Sequence, residues 1–249
     1  MLVYLPRCRT QHHSPLRARL TILNSHSTNT APAYATCQTG TQQSPIALGL
    51  NQGLSTRHIP SFSGYTGNST GNFFNWGHGP AFTLTLEDDD WTSLPSMSFD
   101  NETVYLRGWH IHAPADHPVA GDRSKAELHY VHVDEHGHER AVLAIRIDPG
   151  TSSAPFFAQL PQPYIGFNET EVQMGVELDM RLALEGAHNF DEFWTYKGSL
   201  TSPPCREGIR WFVARTILFT SVDEMVKLLG ACTYSARAEQ EVWLHDINA

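Results

Sequence analysis

Two histidines stand one residue apart in GWHIHAP at 108–114, inside an otherwise apolar run. On a β-strand, residues i and i+2 point to the same side ~7 Å apart. His110 and His112 would therefore offer two imidazoles to one point, while Trp109 and Ile111 face the other way. A second run, ELHYVHV at 127–133, puts Glu127, His129, Val131 and Val133 on one face. If the two strands are neighbours, His129 completes a set of three ring nitrogens. Three imidazoles leave a fourth tetrahedral position open, the arrangement of a catalytic rather than a structural zinc. Glu127 is placed to accept the other ring N–H of His129 and so fix its tautomer. A lone histidine in a sheet has several ordinary roles, but H-x-H and E-x-H on two strands together favour a metal. His136 and His138 repeat the H-x-H spacing around Gly137 among charged residues, where turn chemistry explains them.

Such side chains need a sheet to hold them. AFTLTL (81–86), VYLRGWHIH (104–112), AELHYVHV (126–133), RAVLAIRI (140–147) and IRWFVARTILF (209–219) are rich in β-branched and aromatic residues. DEHGHE (134–139) separates two of these runs and predicts a hairpin. SVDEMVKLLG (221–230) carries a Ser cap, acids in its first turn and a terminal Gly, which predicts a helix. The reading is one mainly β domain with a few short surface helices, and no internal repeat or low-complexity linker.

The 249 residues, 41% hydrophobic and 17% charged, suit one well-cored soluble domain. The longest apolar runs fall far short of the roughly 20 residues of a spanning helix, so no transmembrane segment is expected. Net charge is −9, and no acid precedes Glu87 although five of the 17 basic residues do. The acidic remainder lacks the basic face that phosphate binding needs, which argues against a nucleic-acid partner.

Residues 1–36 contain Arg, Ser and Thr, no acids and no core-building periodicity. They read as a disordered or misassigned start; a transit peptide fits the composition weakly, and no clear signal peptide is present. The domain is placed at 37–249. Sequons at Asn68, Asn101 and Asn168 suit surface loops of a secreted glycoprotein. Four cysteines, at 8, 37, 205 and 232, allow three fully paired connectivities, among which spacing cannot choose.

From about Cys37 to His245 the chain resembles the alpha-class carbonic anhydrases. QSPIAL (43–48), NWGH (75–78), HIHAPADH (110–117), AELHYVH (126–132), FWTYKGSLTSPP (193–204) and IRW (209–211) follow that family's motifs in order. The resemblance implies a central, largely antiparallel, ten-stranded twisted sheet. It also implies a Zn2+ enzyme for reversible hydration of carbon dioxide to bicarbonate, with incidental ester hydrolysis and sensitivity to sulfonamides. A catalytically silent binding module is the alternative, although such members typically lose a zinc histidine. Zinc storage ranks below both.

By position, His110, His112 and His129 match the zinc ligands and Glu127 the carboxylate behind the third. Thr201 matches the hydroxyl that orients zinc-bound hydroxide, with Ser202 beside it, and His78 matches the proton shuttle. Val131, Val142, Leu200, Ile209 and Trp211 match the apolar wall for carbon dioxide. Cys37 and Cys205 occupy the positions of a disulfide found in many extracellular members, which with the sequons implies an oxidising compartment.

Four departures accompany the match. Asp116 stands where the family usually has Glu, whose carboxylate accepts the threonine proton. Gly108 replaces a Gln that bonds the first histidine, Trp76 replaces a polar residue beside the shuttle, and GHGPAF is one residue longer than usual. The family's opening aromatic segment has no match in 1–36.

Overall fold

The computed structural model describes residues 34–249. Cys8 and all but the last three residues of the 1–36 segment lie outside them. Eleven strands follow in chain order: β1 (Ser61–Ser63), β2 (Asn68–Asn75), β3 (Pro80–Leu84), β4 (Ser96–Phe99), β5 (Glu102–His112), β6 (Ala126–Val133), β7 (Glu139–Gly150), β8 (Gln173–Asp179), β9 (Phe193–Ser199), β10 (Glu207–Ala214) and β11 (Leu218–Ser221). Four short helices join them, α1 (Thr36–Thr39), α2 (Pro155–Ala158), α3 (Arg181–Gly186) and α4 (Val222–Gly230).

The strands form one twisted, mainly antiparallel sheet in the order β8-β2-β3-β5-β6-β7-β10-β9. On its margins β4 pairs with β5 and β1, and β11 pairs with β7. Among the strands of the described residues, the pairings of β7 with β10 and with β11 are the parallel ones. The architecture is the expected one, with eleven strands where ten were anticipated. The run at 209–219 is two strands, β10 and β11, laid successively along β7. The hairpin and the helix fall where expected: Gly137 takes φ 81°, and the Ser221 hydroxyl accepts from the Glu224 amide at the start of α4. Among the described residues no helix is long and apolar enough to cross a membrane.

One irregularity positions the site. The β5–β6 register shifts between Leu106 and Gly108. A bulge moves the alternation by one residue. Val104 and Leu106 before it and Trp109 and Ile111 after it consequently all enter the larger core, with Leu128, Tyr130, Leu143 and Ile145. His110 and His112 turn to the opposite face. There, His110 lies opposite His129 across β5–β6, and His129 opposite Ala144 across β6–β7. A second apolar cluster, including Ile46, Val142, Ala144, Trp194, Ile209, Trp211 and Val213, covers that face.

Gly108 is required by close approach. A Cβ built there would lie 2.1 Å from the carbonyl oxygen of Phe82 on β3. The strand that aims the histidines thus meets its neighbour at a point where no side chain fits.

Candidate functional site

The three histidines expected to meet do meet. His110 Nε2 and His112 Nε2 are 3.1 Å apart, and one ligand atom from each of the three rings lies within 4.8 Å of the others. Metal–nitrogen bonds of ~2.0–2.1 Å in a tetrahedron imply nitrogen separations of about 3.3 Å, close to the His110–His112 spacing. Two of the rings have assigned outer partners. His112 Nδ1–H donates to the Ser235 carbonyl at 3.2 Å, leaving Nε2 with its lone pair. His129 Nε2–H donates to Glu127 Oε1 at 2.9 Å, leaving Nδ1. Burial, reinforced by His112 and His129, pushes His110 well below its ordinary pKa, and burial also lowers His112. Neutral imidazoles with free lone pairs are the donor set that zinc prefers.

Glu127 is fully buried between two histidines. Oε1 also lies 2.6 Å from His117 Nδ1, and Oε2 accepts from the His117 amide at 2.8 Å. Burial opposes its charge, but adjacent His117 and the hydrogen bonds from His117 and His129 hold the carboxyl well below the usual range. The chain of contacts continues from His117 Nε2 to the Tyr196 hydroxyl at 2.7 Å, then to Ser44 Oγ at 3.0 Å. Ser44 Oγ accepts from the Ser199 amide, while Ser199 Oγ accepts from the Ser44 amide, both at 3.0 Å. Sequence reasoning gave His117, Tyr196, Ser44 and Ser199 no role. The signal for His117 was present in HIHAPADH, and that for the others in QSPIAL and FWTYKGS, whose serines and tyrosine lock the start of the SLTSPP loop.

Thr201 and Ser202 lie half-buried on that loop, which closes with the Cys205 amide donating to the Ser202 carbonyl at 2.9 Å. Cys37 and Cys205 form the expected disulfide, with a Cα–Cα distance of 5.0 Å. The loop is therefore tied to the segment leading into β1. Cys232 is a free, partly buried thiol, pushed up to about 12 by burial.

Asp116 is completely buried next to the triad. Its Oδ1 accepts from the Arg237 amide at 2.8 Å, while Oδ2 lies 3.7 Å from His112 Nε2 without a hydrogen-bond partner. Among the described residues no hydrogen bond joins Asp116 to Thr201. Val142, Ile209 and Trp211 pack in the second cluster with Leu200 against them, and Val131 pairs with Val142 across β6–β7. The five residues of the expected apolar wall thus share the triad's face.

His78 is half-buried in the turn after β2. Asn75 anchors that turn: its Nδ2 donates to the Ile165 and Ala231 carbonyls, and its Oδ1 accepts from the Gly77 amide. Gly77 takes φ 93°, a value only glycine adopts readily. Burial lowers the His78 pKa, and its Nδ1 is enclosed without a partner. Trp76 is the neighbour that sequence reasoning undervalued. Its ring centroid lies 4.6 Å from that of His78, 5.3 Å from His110 and 5.0 Å from His112. His136 and His138 stay exposed on the hairpin, their amides donating to Asp134 Oδ1 as turn chemistry expects.

The sequence profile of the eukaryotic-type carbonic anhydrases matches residues 25–247. The chain belongs to that family. It is 27% identical over 204 residues to a carbonic anhydrase of Pectobacterium atrosepticum, covering 81% of this chain and 76% of that one. Dioscorin dioA3 of Dioscorea japonica is 26% identical over 211 residues, covering 84% and 73%. Among solved structures, the alpha-carbonic anhydrase of Photobacterium profundum superposes with a TM-score of 0.72 at 26% identity, covering 86% and 92% of the two chains.

Proposed function

We infer that this protein is a zinc enzyme interconverting carbon dioxide and bicarbonate. The observation that carries the reading is the convergence of His110, His112 and His129, with two of their tautomers set by Ser235 and Glu127. Zinc held by three neutral imidazoles makes hydroxide available near neutral pH, a property for which carbonic anhydrases are themselves the standard case.

This chain's residues supply the rest. Val131, Val142, Leu200, Ile209 and Trp211 offer carbon dioxide an apolar surface where water competes poorly. The Thr201 hydroxyl, on a loop braced by Ser44–Ser199 and Cys37–Cys205, orients the nucleophile. Asp116 Oδ2, lacking another partner, serves as acceptor for Thr201, directly or through one water. Ser202 sits beside Thr201 on the same loop. His78, its pKa lowered by burial, is neutral at pH 7 and takes up the released proton for transfer to buffer.

A silent binding module is the second reading, kept because a dioscorin, not named as a carbonic anhydrase, is among the similar proteins. The intact histidine set favours the enzyme. Chelator-stripped protein should take up one zinc per chain and regain carbon dioxide hydration. Full metal uptake without hydration would leave the binding module standing. The disulfide and the three exposed sequon asparagines, Asn68, Asn101 and Asn168, support residence in the secretory pathway or outside the cell. A mobility shift on enzymatic deglycosylation of native protein tests that.

A further inference from the structure

Trp76 occupies the mouth of the triad. Its indole meets His110 and His112 edge-on, at interplanar angles of 63° to each ring. Those two rings converge through nitrogens 3.1 Å apart, so the indole packs beside the ring pair whose nitrogens would hold a metal. On the other side Trp211 packs edge-on against His129 at 5.0 Å. The triad is thus bracketed by two indoles, one deep in the second core cluster and one at the rim. Trp76, His78 and His110 are half-buried while His112, His129 and Trp211 are buried, so the opening to solvent lies on the Trp76 side.

Trp76 is also held in place. Its Nε1–H donates to the Ile111 carbonyl, between the two histidines, at 3.2 Å, and its amide donates to the Gly79 carbonyl at 3.1 Å. With the backbone fixed at the amide and the indole tied through Nε1, swinging the ring aside breaks a hydrogen bond. It acts as a fixed wall.

We propose that Trp76 is a specificity-determining residue that narrows the approach to the metal, admitting small linear substrates and anions and hindering ligands that carry an aromatic ring. The inference rests on the zinc reading above and refines it: carbon dioxide passes, whereas aryl esters and aryl sulfonamides meet the indole. The incidental ester hydrolysis and sulfonamide sensitivity implied by the family are accordingly weak in this chain.

Cobalt-loaded protein provides a test independent of turnover, because ligands at the open position change its visible spectrum. Wild type, Trp76→Ala and Trp76→Leu are titrated with thiocyanate and with sulfanilamide. Both variants should bind sulfanilamide at least about tenfold more tightly than wild type, with thiocyanate affinity within about threefold. The ratio of 4-nitrophenyl acetate hydrolysis to carbon dioxide hydration by the zinc forms should rise in parallel. The leucine variant keeps apolar bulk in the turn should alanine fail to fold. Cobalt uptake with an unchanged sulfanilamide-to-thiocyanate preference in a folded variant overturns the role of Trp76 and leaves the zinc reading intact. A folded wild-type protein that takes up no cobalt overturns both.

Discussion

At His129 one hydrogen bond, from Nε2 to Glu127, decides which nitrogen remains for a metal. H-x-H and E-x-H made this legible in the sequence, because strand alternation alone brings those side chains to one face. What surrounds them was less legible. Asp116 and Trp76 could be named as departures, but the unshared Oδ2 of the first and the three ring contacts of the second depend on segments far apart in the chain. Asp116→Glu would extend the carboxylate by one methylene, so it should raise the hydration rate or leave it unchanged; a large loss in stopped-flow rate would show that the shorter acid is the accommodated one. His132 affords a pH test away from the site. It is buried, lies 2.6 Å from the Tyr65 hydroxyl through Nε2, and has its pKa lowered to about 3 by burial. The unfolded chain binds this proton below about pH 6.5 and the folded chain refuses it, so stability is full above 6.5 and falls as pH drops toward 3. His132→Gln should flatten that loss by up to about 1.4 kcal/mol per pH unit. Urea midpoints at pH 7 and pH 4 check it; identical pH dependence in variant and wild type would refute it.

Among the elements, β5, β6 and β7 were readable because their runs are rich in β-branched and aromatic residues. β2 (NSTGNFFN) and β8 (QMGVELD) were not, since Asn, Gly and acids hide a strand whose pairing is set by its neighbours. The bulge in β5 also lay beyond local pattern, and without it the alternation of Val104 and Leu106 would put His110 and His112 into the larger core. Gly108 sits at that bulge, where a Cβ would lie 2.1 Å from the Phe82 carbonyl oxygen. Gly108→Ala should therefore destabilise the fold by at least about 2 kcal/mol, as forced overpacking does. Chemical denaturation reads this directly, and a wild-type midpoint would mean that β3 and β5 separate easily.

Over the whole molecule, two clamps draw distant segments onto the triad's face: the Cys37–Cys205 disulfide, spanning 168 residues, and the Ser44–Ser199 hydrogen bonds. The disulfide could be chosen from three connectivities only through the family resemblance, since spacing carries no pairing information. Cys37→Ser should cost about 2–5 kcal/mol, read as a lower Tm, and should reduce hydration by loosening the Thr201 loop; an unchanged Tm would make the bridge incidental. The decisive measurement is stopped-flow carbon dioxide hydration by zinc-loaded protein beside His110→Ala. Rapid hydration in the wild type that is lost in the variant is the expected result. No hydration by a folded wild-type protein with one bound zinc per chain would contradict the enzyme reading.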